Sequence, residues 1–272
     1  MPAKPRGEMT LAARTRREPP RYRRVEVRRK AYVSPRLIRV TFSGADLEGL
    51  RVEQPASSVR LLLPSPGSDE LVIPTWTGNE FLMPDGGRPV IRTFTPRRSD
   101  PDALELDVEI VVHDGGVASR WAEAAQRGDP AALSGPGRGY DLHHDAPALL
   151  VGGDETAIPA ISQLLEAAPG QMPVKVHIEI AEDDARVTLP EHPGATVAWS
   201  VRPEADPAGE ALVAAIRGAD LTPGVHVWVA GEAAAVQRIR RYLFDERGLS
   251  RQQAWVRGYW KHGRSGEAED DA

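Results

Sequence analysis

Cysteine is absent from all 272 residues of the sequence. This absence excludes disulfide bonds, thiolate zinc sites, cysteine nucleophiles and cysteine-ligated iron–sulfur clusters, so any electrons that the protein carries must travel through a bound organic cofactor. Long apolar runs are also absent: none reaches the length that spans a bilayer, and the N-terminus lacks the apolar core of a secretion signal. We therefore expect a cytoplasmic protein with no membrane partner and no metal ligands of its own.

Charge of either sign is concentrated at the two ends of the chain. The net charge is −5, yet the first thirty residues carry eleven Lys and Arg side chains against three acids, and residues 267–271 carry four acids. We interpret residues 1–20 as a disordered basic leader and residues 264–272 as an acidic tail. The basic arm has few apolar or aromatic residues with which to dock, so no nucleic-acid partner is expected.

The first half of the chain consists of short apolar segments separated by proline and glycine. Such spacing is typical of a small antiparallel barrel. The predicted strands are 25–27, 37–42, 58–63, 70–73, 90–95 and 104–112.

After residue 137 the pattern changes to alternating strands and helices, which predicts a parallel sheet with helices on both faces. The predicted strands are 149–152, 174–180, 197–201 and 225–230, and the predicted helices are 158–167, 209–219 and 233–244. The fold class is therefore α+β with two domains: an N-terminal antiparallel β-barrel over residues 21–145 and a C-terminal α/β domain with a parallel sheet over residues 146–263.

Residues Arg92, Thr93, Phe94 and Thr95 form an Arg-x-aromatic-Thr strand that is followed by Pro96. A fixed guanidinium can pair with a phosphate as a bidentate fork, an aromatic ring can lie against an apolar ring system, and a threonine hydroxyl can hydrogen-bond a ring heteroatom. The pattern favours a flavin with its phosphates, and FAD is the predicted cofactor. An ordinary solvated strand face is the alternative.

A second anion-binding signal follows, where a strand that ends near His113 leads through Gly115 and Gly116 into a helix. Such a turn leaves backbone N–H groups and the positive end of the helix dipole free to meet a pyrophosphate, and glycine lets the ligand approach without a Cβ in the way. The alternative is an ordinary β-to-α connection whose glycines only make the turn.

Residues 148–161 predict a buried strand, a turn at Gly152 and Gly153, and a helix that is capped by Thr156 and has Pro159 in its first turn. This arrangement has the form of a nucleotide-binding βα unit, although the Gly-x-Gly-x-x-Gly fingerprint is absent. Because ligands of parallel sheets bind outside the carboxyl ends of the strands, we expect this turn to face Gly231-Glu232 across one crevice.

With these segments in order, the sequence resembles the siderophore-interacting protein family, the FAD-containing ferric-siderophore reductases of the ferredoxin-reductase-like superfamily. The resemblance spans residues 22–263. It rests on residues 92–95, which we call the flavin strand, and on residues 113–122, Gly128-Asp129, residues 134–136, residues 152–160, Gly231-Glu232 and the closing segment 258–263. One departure is Phe94, where family members more often carry Tyr; the stacking face is kept and a hydroxyl is lost.

The resemblance implies two cofactor sites and no obligatory catalytic side chain, since the flavin carries the chemistry. FAD would be held by Arg92, Thr93, Phe94, Thr95, His113, Gly115, Gly116, Val117, Ala118, Ser119 and Trp121, with Tyr259 and Trp260 covering the flavin. NADPH or NADH would be held by Gly152, Gly153, Asp154, Glu155, Thr156, Ala157, Gly231 and Glu232. A separate ferredoxin is an alternative electron donor.

The implied substrate is an anionic ferric siderophore, for example of the catecholate type, held by Arg60, Arg138 and Lys261 near the flavin edge. Electrons from NAD(P)H would pass through FAD to Fe(III), and Fe(II) would be released because hard oxygen ligands hold it less tightly. A monomer is expected. For each cation, the alternative is a solvated surface residue.

Structural roles and other functions stay open as alternatives. Asp154, Glu155 and Glu232 are also suited to be helix N-terminal acids, and Tyr259 and Trp260 to be ordinary core aromatics. At the level of function, the alternatives are a general NAD(P)H:flavin or ferredoxin-type reductase and a non-catalytic ferric-siderophore-binding protein.

Overall fold

The computed structural model describes residues 21–78, 80–113 and 115–263. The predicted leader and tail lie outside these residues. In the N-terminal half, seven strands form one antiparallel sheet in the order β6-β3-β9-β1-β2-β8-β7, and β4 and β5 form a separate hairpin. The strands are β1 (Arg23–Ser34), β2 (Leu37–Ser43), β3 (Val59–Leu63), β4 (Thr75–Trp76), β5 (Phe81–Leu82), β6 (Val90–Phe94), β7 (Pro96–Asp100), β8 (Glu105–Val111) and β9 (Pro130–Ser134).

Apolar residues at alternating positions of the strands face one core, and the sheet curves around it. Ile38, Val40 and Phe42 of β2 are fully buried, and they pack with equivalent positions of β1, β3, β8 and β9. Strand β6 also contacts β8, so the two ends of the sheet approach each other. Helix α1 (Val117–Ala124) packs against this core through Ala118 and Ala122. The predicted antiparallel N-terminal fold is confirmed.

Residues 70–73 are not a strand, contrary to the prediction. Leu71 and Ile73 instead pack as a loop against Leu62 and Ala132, so burial without pairing accounts for their apolar character. Strands β4, β5, β7 and β9 were not predicted. Strand β7 is a mostly polar edge strand, so it lacks the apolar residues by which a strand is predicted from sequence. The apolar residues of this pair of strands belong to β8.

The C-terminal half contains a five-stranded parallel sheet in the order β12-β11-β10-β13-β14. Its elements are β10 (Leu149–Asp154), α2 (Ile158–Ala167), β11 (Val174–Ile180), β12 (Ala195–Val201), α3 (Glu210–Gly218), β13 (His226–Glu232), α4 (Ala233–Arg241) and β14 (Ala254–Trp260). A π-helical turn, Tyr242–Glu246, extends α4. Strand β14 was not predicted.

Helices cover both faces of the parallel sheet, as predicted. Helix α2 packs on the face that carries Val151, Val176 and Ile178, whereas α3 and α4 pack on the face of Val227 and Val229. The strand order reverses at β10, between β11 and β13, which is where parallel sheets usually bind ligands. No helix of the described residues is long and apolar enough to cross a membrane.

Contacts between the two halves fix the flavin strand against helix α2. Gln163 of α2 donates to the Pro96 carbonyl at 2.6 Å and accepts from the Ala56 amide at 2.9 Å. Arg97 forms a bidentate pair with Glu166 of the same helix, at 2.7 and 3.0 Å. These bonds begin one residue after Thr95, so they tie the predicted flavin strand directly to the second domain.

Candidate functional site

Strand β6 places the Arg92 guanidinium at the edge of the N-terminal sheet. Arg92 is half-buried and donates to the carbonyl of Ile91 at 2.8 Å. Burial lowers the pKa of Arg92, and among the described residues no carboxylate pairs with it. A half-buried guanidinium that lacks a protein carboxylate is suited to an anionic ligand such as a phosphate.

The end of the flavin strand contacts the last strand of the other domain. Thr95 is buried, and its side chain lies near the hydroxyl of Tyr259 at the end of β14, where it opposes the rise of the Tyr259 pKa. Burial raises the pKa of Tyr259 to about 12, so this tyrosine stays neutral at physiological pH. Phe94 is half-buried against the N-terminal core, and Thr93 is exposed. Tyr259 therefore lies beside the predicted flavin strand, and its role as a flavin cover stays a prediction.

The glycine turn before α1 is open on one side and closely packed on the other. Gly115 has φ +78°, and a Cβ there would meet nothing within 4 Å. A Cβ on Gly116 would lie 2.7 Å from both the His113 ring and the Ser119 hydroxyl. Helix α1 starts at Val117 without a side-chain cap. Among the described residues no side chain accepts from its first N–H groups, which suits the predicted pyrophosphate site.

Two side chains predicted to hold FAD contact other groups of the protein. The Ser119 hydroxyl donates to the Val111 carbonyl at 3.1 Å and accepts from the His113 amide at 3.2 Å, so it joins the end of β8 to α1. Trp121 stacks on Phe42 with ring centroids 6.0 Å apart. These side chains shape the turn and the core, which supports the backbone of the site.

At the carboxyl end of β10, the two glycines lie within the strand and not in a turn, contrary to the prediction. A Cβ on Gly152 would lie 2.8 Å from Ile216, and one on Gly153 would lie 2.5 Å from the Cβ of Ala157. Both glycines are needed because helices pack closely on both faces of β10. The sequence predicts these glycines in the turn of a nucleotide-binding βα unit, whereas in the structure they allow close packing within the strand.

Asp154 connects three strand ends. Its Oδ1 accepts from the backbone amide of Thr156 at 2.9 Å and from the Thr156 hydroxyl at 2.5 Å. Its Oδ2 accepts from the Glu232 amide at 2.9 Å and from Trp260 Nε1 at 2.7 Å. Burial raises the pKa of Asp154 to about 6, and the hydrogen bonds from Thr156 and Trp260 oppose this rise. The predicted N-cap at Thr156 is wrong, because Asp154 caps this turn.

The acids at this edge are all engaged. Glu232 caps α4 by accepting from the amides of Ala234 and Ala235 at 2.6 and 2.9 Å, and it also accepts from the His262 amide. Asp154 and Glu232 thus take the helix-capping role left open as an alternative. They are joined directly by a hydrogen bond from the Glu232 amide to Asp154, so the two predicted nucleotide segments adjoin at this sheet edge.

Glu155 links the two domains. It is buried, receives two bonds from Arg36 Nε at 3.1 and 3.2 Å, and accepts from the Ala181 amide at 2.8 Å. The sequence analysis missed Arg36, since its partner lies 119 residues away. Thr156 and Ala157 form the short turn that precedes α2.

Of the three predicted substrate cations, Arg60 lies on the strand that pairs with the predicted flavin strand. Arg60 is half-buried on β3, opposite Thr93 of β6 and Ser134 of β9. Arg138 is exposed in the loop after β9, and Gly137 beside it donates to the Ser58 carbonyl at 2.7 Å. Exposed Lys261 follows Trp260 at the sheet edge.

The two halves of the chain match known protein families. Residues 146–263 match the siderophore-interacting protein family, and residues 26–140 match the siderophore-interacting FAD-binding domain. The chain belongs to the siderophore-interacting protein family. The resemblance found in the sequence is therefore confirmed.

Relatives of this family cover nearly the whole chain. Ferric vibriobactin reductase ViuB of Vibrio cholerae is 34% identical, and the alignment covers 88% of this chain and 89% of that protein. A siderophore utilization protein from T. fusca has a TM-score of 0.81 at 36% identity, covering 91% of this chain and 95% of that structure. A ferredoxin reductase of carbazole 1,9a-dioxygenase, at 16% identity and TM-score 0.62, covers 89% of this chain and 70% of that structure, and it shows the fold class alone.

Proposed function

We propose that this protein is an FAD-dependent reductase that transfers electrons from NADPH or NADH to the iron of a ferric siderophore and releases Fe(II). The observation that carries the proposal is the similarity to ferric vibriobactin reductase over 88% of the chain. The presence of the siderophore-interacting FAD-binding domain supports the cofactor.

The residues at the flavin strand fit FAD. The half-buried Arg92 guanidinium and the uncapped start of α1 would hold the two phosphates, and Gly115 leaves the space that a Cβ would fill. Phe94 and Tyr259 would border the isoalloxazine. When bound, FAD would accept a hydride from a nicotinamide and pass on electrons one at a time.

For the electron donor, we propose NAD(P)H bound outside the carboxyl ends of β10 and β13. Support comes from the topology, since the strand order reverses at β10. The side chains at this edge hold the strand ends in place, which would keep the nicotinamide in reach of the flavin. An external one-electron donor such as ferredoxin is the second candidate, because Gly152, Gly153, Asp154 and Glu232 are all occupied with the protein itself.

For the substrate, we propose an anionic ferric complex that Arg60, Arg138 and Lys261 attract to the flavin edge without ligating the iron. Reduction needs only close approach, because an electron can pass between a flavin and the complex without a proton-transferring side chain. We further propose that the protein acts as a monomer in the cytoplasm, where released Fe(II) can be used.

An absorbance spectrum of the purified protein, followed by anaerobic addition of NADPH, NADH and a ferric catecholate complex with an Fe(II) chelator, tests this function. Flavin bands that bleach with one nucleotide and recover as Fe(II) appears are the expected result. Bound flavin that ignores both nucleotides but is reoxidised by the ferric complex after photoreduction would favour the external donor. A colourless protein that cannot be reconstituted with FAD would refute the reductase.

A further inference from the structure

Gln163 of helix α2 joins the two domains through both ends of its side-chain amide. Its Nε2 donates to the Pro96 carbonyl at 2.6 Å, and its Oε1 accepts from the Ala56 amide at 2.9 Å. Pro96 directly follows the flavin strand, whereas Ala56 lies in residues 54–58, which lead into β3 and which we call the 54–58 loop. One side chain therefore holds this loop in a fixed place relative to the end of the flavin strand.

The middle of the 54–58 loop has an unfavourable backbone conformation. Ala56 is buried and has φ +55°, in the left-handed region that disfavours a residue with a Cβ. Such a residue keeps its conformation only where the surrounding structure holds it. The Ser57 hydroxyl donates to the Gln54 carbonyl at 2.7 Å within the loop, and Gln163 accepts from the Ala56 amide from outside it. Gln163 thus stabilises the loop at its strained residue.

The same loop holds the segment that carries Arg138. The Tyr140 amide donates to the Pro55 carbonyl at 2.8 Å, and the Gly137 amide donates to the Ser58 carbonyl at 2.7 Å. Arg138 lies between these two bonds, and its side chain is exposed. The backbone of Arg138 is therefore placed by the 54–58 loop, while its guanidinium is accessible to a ligand.

Close packing strengthens this connection. A Cβ on Gly139 would lie 2.6 Å from the Gln54 Cβ and from the Ser57 hydroxyl, so the segment lies directly against the loop. The loop also leads into β3, whose second residue is Arg60. Two of the three proposed substrate cations are consequently connected to a loop that Gln163 holds.

We propose that Gln163 is a positioning residue, which sets the place of Arg138 relative to the flavin strand so that Arg138 can pair with an anionic ferric complex at the flavin edge. The inference rests on the proposed function, and it adds a residue of the second domain to substrate positioning. Gln163 acts through two backbone groups, and its own side chain carries no charge. A matched control lies three residues along α2, where Glu166 pairs with Arg97 and joins the same helix to β7.

The first test follows the reoxidation of FAD-loaded, photoreduced protein by ferric tris(2,3-dihydroxybenzoate) in a stopped-flow spectrometer, so that no nucleotide is needed. Gln163→Met keeps the length of the side chain and removes both hydrogen bonds. The concentration of complex that gives half the limiting rate should rise about fivefold, the size of one solvent-exposed ion pair, at an unchanged limiting rate. Glu166→Gln should leave this concentration as in the wild type. In an Arg138→Ala protein, Gln163→Met should add no further effect, because the residue through which it acts is gone.

Limited trypsin digestion gives a second readout that does not depend on activity. Cleavage after Arg138 requires its segment to leave the 54–58 loop, so it should be faster in Gln163→Met than in the wild type and unchanged in Glu166→Gln. Cleavage after the exposed Arg127 serves as the internal reference. If the wild type reduces no ferric complex, but Gln163→Met speeds cleavage after Arg138, the proposed function fails and the positioning of Arg138 by Gln163 stands.

Equal effects of Gln163→Met and Glu166→Gln in both tests would overturn the inference, because they would reflect a general loosening between the domains. Unchanged half-saturation and unchanged cleavage in folded Gln163→Met would overturn it as well, as would an effect that adds fully to that of Arg138→Ala. Loss of FAD from the folded variant would assign Gln163 to the cofactor site instead. If circular dichroism shows that Gln163→Met does not fold, Gln163→Asn takes its place, since its amide is one methylene too short to reach both partners, and it should change both readouts in the same direction.

Discussion

The replacement Asp154→Asn tests whether this residue holds the strand ends together or contacts a nucleotide. In the folded protein the two carboxylate oxygens accept four hydrogen bonds, from the amide and hydroxyl of Thr156 and from Glu232 and Trp260. The amide of asparagine keeps one acceptor oxygen and turns the other position into a donor. If the oxygen faces Thr156, the new NH₂ group faces two N–H groups that have lost their acceptor.

The size of the effect follows from those two lost bonds. A hydrogen bond to a charged group contributes about 1.5–3 kcal/mol, so two of them give about 3–6 kcal/mol. We expect a loss of about 3 kcal/mol in the free energy of unfolding at pH 7, at the lower end because the buried carboxylate is itself unfavourable when ionised. Trp260→Phe removes one donor only and should lose about half as much.

Urea unfolding followed by circular dichroism measures both variants and the Asp154→Asn/Trp260→Phe double variant. The double variant should be more stable than the sum of the single effects predicts, because both replacements remove the same bond. Additive effects would refute a direct role of the Asp154–Trp260 bond. An Asp154→Asn protein that is as stable as the wild type, but has a raised KM for NAD(P)H, would support nucleotide binding as the role of Asp154.

The remaining predictions concern pH, the cofactor and the substrate. Burial raises the pKa of Asp154 from 3.8 to about 6, so between these values the folded protein holds a proton that the unfolded chain releases. The stability advantage of wild type over Asp154→Asn should therefore fall by about 1.4 kcal/mol per pH unit from pH 4 to about 6 and level off above it, as urea titrations from pH 4 to 8 would show. Arg92→Ala should release FAD, and a variant that purifies fully yellow would contradict this. Gly116→Ala should lower stability by about 1–3 kcal/mol and reduce flavin content, because its Cβ would meet His113 and Ser119 at 2.7 Å; a normal melting temperature and flavin ratio would be inconsistent with that packing. Lys261→Ala should weaken ferric-complex reduction at unchanged flavin absorbance, and equal loss of both would assign Lys261 to the fold.

Much of the fold could be predicted because local patterns report burial. Strands such as β2 alternate around one core, and the strand–helix alternation after residue 137 produces a parallel sheet covered on both faces. The segment 70–73 shows the limit of this reasoning. Its apolar residues are buried as the pattern indicates, but they pack as a loop over Leu62, and a local pattern does not distinguish packing from pairing.

The site could be predicted only where one segment contains the whole signal. The turn at Gly115 and Gly116 is such a segment, since the positive φ of Gly115 and the helix start follow from neighbouring residues, and its role in holding a pyrophosphate stays a prediction. The roles of Gly152 and Gly153 could not be predicted, because the atoms that require glycine there belong in part to Ile216 of a helix far along the chain. A glycine pair at the end of a buried strand indicates that another group approaches the backbone closely. The tertiary fold decides whether that group is a ligand or a helix.

The closing strand shows why the role of its residues needs the tertiary structure. Trp260 reaches Asp154 across 106 residues, and Tyr259 reaches Thr95 on the flavin strand. One short segment therefore joins the edge of the parallel sheet to the predicted flavin site. The two sequence interpretations of these aromatics, core packing and flavin cover, do not exclude each other, because the bond that fixes Trp260 also determines where Tyr259 stands. A loss of the Asp154–Trp260 bond should consequently disturb the flavin environment as well as stability, through the displacement of Tyr259 from Thr95.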